Sequence, residues 1–218
     1  MLTLTCRTVN ATARDLTYNF THSISYAKLI ISAATKEPLP SGMKKELSPE
    51  TVTDDTALIK LYVDNLSQIV PILDDTHIWR SWHAVSGKDE NATAMDYWTS
   101  RLILAIASAM QSQQRGDTKY FDALGHICAA MAVADQVLHP GSIYSIQAMV
   151  LLVQYSMLDP SHFDSWTLVG ATSRAMIDLG LHQDPSKSSN TPREKLELRR
   201  RVYHSVYIHD RYAILAPD

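Results

Sequence analysis

The stretch 161–184 limits the fold of this chain more than any other, because it carries signals for both ends of one helix. Ser161 followed by Asp164 has the spacing of a capping box, in which each side chain bonds a free backbone N–H of the first turn. Gly180 stands where a residue in the left-handed conformation ends many helices. The sequence therefore predicts a helix over about residues 162–179, with Ser161 as its N-cap.

The predicted helix is apolar on nearly every face, and only Thr167, Arg174 and Asp178 form a narrow polar stripe. Its other positions form two rows, with Trp166, Val169, Gly170, Ser173, Met176 and Ile177 in the first and Leu168, Ala175 and Leu179 in the second. We expect a central buried helix that other helices cover on at least two faces. Gly170 is expected at a close approach between helices, so that a larger side chain there would disrupt the packing.

Helical spacing of apolar residues recurs along the chain, whereas no alternating strand pattern persists. The predicted helices lie at about residues 54–70, 94–113, 118–138, 142–158 and 192–214, in addition to the one at 162–179. A compact turn region is expected between the first two, up to about Asn91. Short turns join these helices, which predicts an all-α fold built of packed antiparallel helix pairs.

The last of these helices has the clearest start, with Thr191 as N-cap, Pro192 at the first position and Glu194 as the capping-box acid. Its inner side is predicted to carry Leu198, Val202, Tyr203, Val206 and Tyr207. Glutamates interrupt its basic residues, which are Arg193, Lys195, Arg199, Arg200 and Arg201. Such interleaving is typical of a solvated or salt-bridged face rather than a nucleic-acid-binding one.

The chain divides by composition into two parts. Residues 32–56 are rich in proline, lysine, glutamate, serine and threonine, and residues 1–30 show no sustained period. We therefore expect a poorly structured N-terminal segment and linker over residues 1–53, followed by a helical domain over residues 54–218.

The net charge and the residue content of the chain argue against several classes of function. A net charge of −3 gives no general attraction to nucleic acid, and the absence of a long apolar run predicts no membrane segment. The two cysteines, Cys6 and Cys128, cannot build a structural zinc site, and the nine histidines lack metal-ligand spacing. Catalytic and phosphate-binding motifs are also missing, so we predict no catalytic, cofactor or metal site and no enzyme.

Four segments occur in an order and spacing that resemble a known family. They are SIYSIQAMVLLVQY at 142–155, GATSRAMIDLGLHQDP at 170–185 after Trp166, ELRRRVYHSVYIHDR at 197–211 and, more weakly, LYVDNLSQIVPIL at 61–73. The segment YWTSRLILAIA at 97–107 extends the similarity, which covers roughly residues 57–216. The family is the fungal-specific transcription factor domain, the middle homology region downstream of zinc binuclear cluster (Zn2Cys6) DNA-binding domains.

The resemblance implies a non-catalytic regulatory domain of a nuclear transcription factor, which restrains activation and responds to an effector or partner. A homodimer is left open. The matching family positions are expected to be structural, and they are Trp166, Gly170, Arg174, Leu179, Gly180, Leu181, His182, Arg200, Arg201, Asp210 and Arg211. His182 is expected to cap or pack rather than to bind a ligand.

Two departures from the family pattern shape what we expect of binding. The six clustered cysteines of the family's DNA-binding module are missing, so zinc is expected only if such a module lies upstream, and DNA binding only through it. The sequence also stops shortly after Asp210 and Arg211, so the match to the family's domain is expected to be partial.

A different class of function also fits an apolar helical chain. The alternative is a small-ligand-binding protein or enzyme with a pocket between the helices predicted at 142–158, 162–179 and 192–214.

Overall fold

The computed structural model of the protein describes residues 25–43, 45–47, 52–183 and 192–215, and these residues form helices without strands. A single bridge pairs Thr35 with Phe163. The helices are α1 (Tyr26–Ala34), α2 (Val52–Tyr62), α3 (Asp75–Ser86), α4 (Ala94–Gln111), α5 (Thr118–Met131), α6 (Ala134–Val137), α7 (Ile143–Leu158), α8 (Ser165–Asp178) and α9 (Arg193–Leu215). A π-helical turn, Val63–Ser67, continues α2. The all-α prediction is confirmed, and no described helix is long and apolar enough to cross a membrane.

Helix α4 is the centre of the described structure. It begins at a complete capping box, because the Thr93 hydroxyl accepts from the Asp96 N–H while the Asp96 carboxylate accepts from the Thr93 N–H. Helices α2, α3, α5, α6 and α7 all pack on it. Trp98 is fully buried on α4, and its indole N–H donates to the carbonyl oxygen of Ala148 on α7 at 3.2 Å. Both the packing and this bond hold α4 against α7.

Helix α7 is buried along most of its length and needs partners for its polar side chains. Gln154 accepts a hydrogen bond of 2.9 Å from the hydroxyl of Tyr62 on α2, and Gln147 donates one of 2.8 Å to the carbonyl oxygen of Ile72. These bonds connect α7 to α2 and to the segment that precedes α3.

Helix α8 differs from its prediction at the start and in its burial. Its N-cap is Asp164 rather than Ser161, because the Asp164 carboxylate accepts from the N–H of Thr167 at 3.1 Å. Trp166 is 61% exposed and Ile177 is 49% exposed. The helix packs mainly on α1, α7 and α9, which cover one side of it. The prediction of a central buried helix is therefore wrong.

The end of α8 is as predicted. Gly180 has φ +65°, its N–H donates to Ile177 at 2.8 Å, and the N–H of Leu181 donates to Met176 at 3.1 Å. This is the Schellman pattern, and it places the buried side chain of Leu181 next to the core.

Gly170 does not lie at a close approach. It is exposed, and a Cβ added to it would meet nothing within 4 Å. The expectation that a larger side chain at Gly170 would disrupt the packing is wrong, because the outer side of α8 has space there.

Two further helices were not expected. Residues 26–34 form α1, and its Ala27, Ile30 and Ala34 are buried in the core, so the prediction of little structure before residue 54 is wrong for this segment. Helix α3 occupies much of the predicted turn region, where Asp74 caps it through a 2.8 Å bond from the N–H of His77. The division of the chain into two parts stays a prediction, because residues 1–24, 44 and 48–51 lie outside the described residues.

The buried apolar face of α9 is narrower than predicted. Val202 and Val206 are buried as expected, together with Ser205 and His209. Tyr203 and Tyr207 are exposed instead, and their rings stack with centroids 6.2 Å apart. Residues four apart on a helix are neighbours, which explains how two tyrosines can cover each other outside the core. The predicted N-cap, Thr191, lies outside the described residues.

Candidate functional site

A buried arginine lies on the central helix. Arg101 is only 4% exposed. Its Nη1 donates to the carbonyl oxygen of Lys45 at 2.5 Å and lies 3.1 Å from Nδ1 of His126 on α5. The guanidinium carbon also lies 5.0 Å from the centroid of the Tyr97 ring, one turn earlier on α4. The charge is therefore surrounded by a carbonyl, an imidazole and an aromatic ring.

His126 is fully buried beside this arginine. Burial lowers the pKa of His126 well below its ordinary value, and the positive charges of Arg101 and Lys45 lower it further. The imidazole is consequently neutral at pH 7, and its Nδ1 accepts from Arg101 while its proton sits on Nε2. The Nε2 atom is buried and has no hydrogen-bond partner among the described residues.

No carboxylate pairs with Arg101 within the described part of the chain. The nearby Asp122 instead binds Lys45, whose Nζ lies 2.7 Å from the Asp122 carboxylate. The Nε atom of Arg101 is buried and lacks an acceptor there as well. Buried charges in proteins are ordinarily paired, so this guanidinium is a cation with unused hydrogen-bonding capacity.

A cleft with a volume of about 400 Å³ opens beside Arg101. It lies between the end of α3, the start of α4 and helix α6. Leu47, Val85 and Val133 line it with apolar surface, and Glu46, Lys88 and Asp89 contribute charges. The alternative prediction placed a pocket between α7, α8 and α9, whereas the residues that line this cleft belong to α3, α4, α6 and the loops next to them.

A second polar cluster joins the ends of α7, α8 and α1. The carboxylate of Asp159 lies 2.8 Å from Nδ1 of His162 and accepts bonds of 3.0 Å from the hydroxyls of Tyr155 and Ser161. The backbone next to this cluster also bonds the end of α1, because His162 accepts from Lys36 at 2.9 Å. Each of these hydrogen bonds joins two groups of the protein itself, and we therefore assign the cluster to stabilisation of the turn between α7 and α8.

The predicted family positions on α8 do not form one site. Trp166, Gly170, Arg174 and His182 are all exposed, and Arg174 lies 4.0 Å from Asp178 on the same helix. Leu179 is the C-cap of the helix, and Gly180 and Leu181 form the Schellman ending described above.

The family positions on α9 are spread along its length. Arg200 is exposed, and Arg201 lies 3.9 Å from Asp74 at the start of α3. Asp210 and Arg211 form an ion pair with each other, and the Arg211 guanidinium carbon lies 5.4 Å from the centroid of the Tyr207 ring. Their structural role stays a prediction.

Arg199 has a role that the sequence did not indicate. Its Nη2 donates to the carbonyl oxygen of Gly180 at 2.7 Å and to that of Gln183 at 3.1 Å. A cation at a helix C-terminus satisfies free carbonyls and suits the helix dipole. One residue of the cluster predicted as a solvated or salt-bridged face thus fastens α9 to the end of α8.

The sequence contained a signal for Arg101 that was missed. Arg101 lies three residues after Trp98 and four before Ala105, two apolar residues at helical spacing. The same spacing places Arg101 on the face that carries them. The partner His126 could not be assigned in this way, because nothing in the sequence shows which faces of α4 and α5 meet.

The zinc cluster of the family does not fit the cysteines of this chain. The sequence has Cys6 and Cys128, which cannot supply six thiolates. Cys128 is half-buried on α5, and its sulfur lies 3.8 Å from the carbonyl oxygen of Pro40.

Comparisons with known proteins identify a family that matches most of this helical structure and relatives that match shorter parts of it. Residues 59–216 match the family described as the fungal specific transcription factor domain. The "C6 finger domain transcription factor hasF" of Aspergillus fumigatus is 37% identical over 67 residues, which is 30% of this chain and 9% of that protein. The "Negative regulator of pleiotropic drug resistance STB5" of Candida glabrata is 31% identical over 84 residues, or 38% of this chain and 8% of that protein.

No solved structure matches the chain. The aligned parts are small fractions of both relatives, so these relatives are much longer than the region they share with this chain. The family match, in contrast, spans α4, α7, α8 and α9 together with the elements between them. The chain belongs to the family of the fungal specific transcription factor domain.

Proposed function

We propose that this domain regulates transcription without catalysis, in the nucleus, by binding a protein partner or an effector. The observation that carries the proposal is the family match over residues 59–216, which coincides with the helices packed around α4. The relatives are a transcription factor and a regulator of drug resistance by name, and this agrees with a regulatory role.

DNA binding by this protein would come from another part of a longer chain. A net charge of −3 does not favour DNA, and the two cysteines do not fit the zinc cluster of the family. We infer that the domain acts on a DNA-binding module and an activating region supplied elsewhere.

A reporter fusion tests this role. The full chain is placed between a heterologous DNA-binding domain and an acidic activation domain, and its reporter output is compared with that of a flexible spacer of equal length. We expect the chain to lower the output, as expected of a domain that restrains activation. Equal output from chain and spacer, at equal protein levels, would count against the proposal.

Trp98→Ala provides the matched control for this fusion. Trp98 is fully buried and bonds α7, so its loss is expected to destabilise the domain by about 3–5 kcal/mol. That is a large share of the roughly 5–15 kcal/mol of stability that ordinary domains have. The destabilised control should give an output closer to that of the spacer than the intact chain does, which would show that the folded domain causes the effect.

Binding of a small ligand is the second candidate function. The observation in its favour is the cleft of about 400 Å³ beside Arg101, a volume within the range of roughly 300–1,000 Å³ that is typical of small-molecule sites. In a regulatory domain such a ligand would be the effector.

A further inference from the structure

We propose that the cleft beside Arg101 binds a small organic monocarboxylate with an apolar body. The proposal deepens the proposed function, on which it rests for the meaning of the ligand as an effector. Binding itself is a property of the cleft, so it is measured on the purified chain and can succeed or fail independently of the reporter.

The anion is inferred from the unused side of the Arg101 guanidinium. Both hydrogen bonds that Arg101 makes to described residues use Nη1, and the acceptors are a carbonyl oxygen and a neutral imidazole. Nε is buried without an acceptor there. Nη2 makes no hydrogen bond to the described residues, and Arg101 lines the cleft, so the Nη2 amino group is the donor left for a carboxylate.

The single charge of the ligand is inferred from the other side chains of the cleft. Lys88 is positive, but Glu46 and Asp89 are negative, so the four charged residues that include Arg101 sum to zero. A phosphate or dicarboxylate would bring a second negative charge close to these acids, and like charges repel. A monocarboxylate needs only the one buried cation.

The apolar body is inferred from the walls. Leu47, Val85 and Val133 are half-buried and face the same cleft as Arg101. A ligand that covers them removes apolar surface from water, and each buried methylene group strengthens binding roughly fourfold. The cleft should therefore prefer a longer acid to a shorter one.

Calorimetric titration of the purified full chain at pH 7 tests this specificity with four probes: hexanoate, acetate, hexanamide and inorganic phosphate. We expect hexanoate to bind at least tenfold more tightly than acetate, which lacks the apolar body, and than hexanamide, which lacks the charge. Phosphate should bind at least tenfold more weakly than hexanoate. Equal binding of hexanoate and hexanamide would overturn the role of Arg101, and phosphate binding as tight as that of hexanoate would overturn the ligand class.

Two variants connect the binding to the cleft. Arg101→Gln should weaken hexanoate at least tenfold, with folding checked by circular dichroism, whereas Arg174→Gln on the exposed side of α8 should leave it unchanged. Val85→Trp should also abolish binding by filling the cleft while Arg101 stays in place. If Arg101→Gln does not fold, Val85→Trp decides the matter, and hexanoate binding that survives Val85→Trp would contradict the proposal.

Discussion

Gly170 and Gly180 lie in and just after α8, and the two positions differ in their need for glycine. Gly180 has φ +65°, a conformation that strains residues with a Cβ, whereas Gly170 lies inside the helix with open space around it. Gly180→Ala is expected to lower the free energy of unfolding by about 1 kcal/mol. Gly170→Ala is expected to raise it by roughly 0.5–1 kcal/mol, because alanine favours the helix and restricts the unfolded chain.

Urea denaturation of both variants at the same pH checks this pair, since each change adds one methyl group to the same segment. Gly180→Asn serves as a further control, because asparagine tolerates the left-handed conformation better than alanine does. Destabilisation by Gly170→Ala comparable to that of Gly180→Ala would show that α8 has a close neighbour at Gly170.

His126 is expected to make the domain less stable in mild acid. Burial and the positive charges of Arg101 and Lys45 lower the pKa of His126 in the folded state. In mild acid the unfolded chain therefore binds a proton at this histidine that the folded chain does not bind. The contribution of neutral His126 to the free energy of unfolding is present at pH 7 and is lost as pH falls below the ordinary histidine pKa of about 6.5. The pKa of His209 is also lowered by burial and adds an effect of the same sign.

Thermal unfolding between pH 7.5 and 5.5 measures this dependence. His126→Gln should reduce the slope of stability against pH, whereas His204→Gln, at an exposed histidine of α9, should not. An unchanged slope in His126→Gln would mean that the folded protein protonates His126 without cost, contrary to the buried pair with Arg101.

At the scale of the helix, the start of α8 has two candidate capping residues, Asp164 and Ser161, which can be compared by their effects on stability. Asp164 accepts from the Thr167 N–H and also forms a 3.7 Å ion pair with Lys36 after α1. Asp164→Ala should therefore cost about 1 kcal/mol of unfolding free energy, the usual value of an N-cap. Ser161→Ala removes a partly buried bond to Asp159 and is expected to cost less than Asp164→Ala. Guanidinium denaturation of the two variants checks the order, and a larger loss in Ser161→Ala would restore Ser161 as the cap.

The existence of the long helices could be predicted from the sequence, because their apolar residues repeat over several turns. The helix predicted at 94–113 is Ala94–Gln111 in the structure, and that predicted at 142–158 is Ile143–Leu158. Helix α3 was missed because its buried face is short, with Ile78, Ser81 and Trp82 set among charged residues and histidines.

The burial of α8 could not be predicted in the same way. Periodicity shows that a face is apolar, but it does not show whether another helix covers it. Trp166 and Ile177 belong to a predicted apolar row and are nevertheless exposed, because α1, α7 and α9 cover only the side that carries Leu168 and Val169. The candidate site has the same difficulty, since Arg101 is placed on the inner face by its spacing but its neighbours come from separate parts of the chain.

For the whole molecule, α4 carries both the core and the candidate cleft. Its inner residues pack on α2, α3, α5, α6 and α7, and its N-cap Thr93 lines the cleft together with Tyr97 and Arg101 of the helix. A ligand at the cleft would therefore act on the most connected helix of the domain. This arrangement gives a regulatory domain a direct physical route from a bound effector to its core.

Native-state hydrogen exchange of the purified chain tests most directly whether the domain is built around α4. The amides of α4 and α7 are buried in the core, so we expect them to exchange most slowly, near the rate set by global unfolding. The amides of α8 should exchange faster, because one side of that helix faces solvent. Slowest exchange in residues 165–178, with faster exchange in α4, would contradict this account and restore α8 as the centre of the fold.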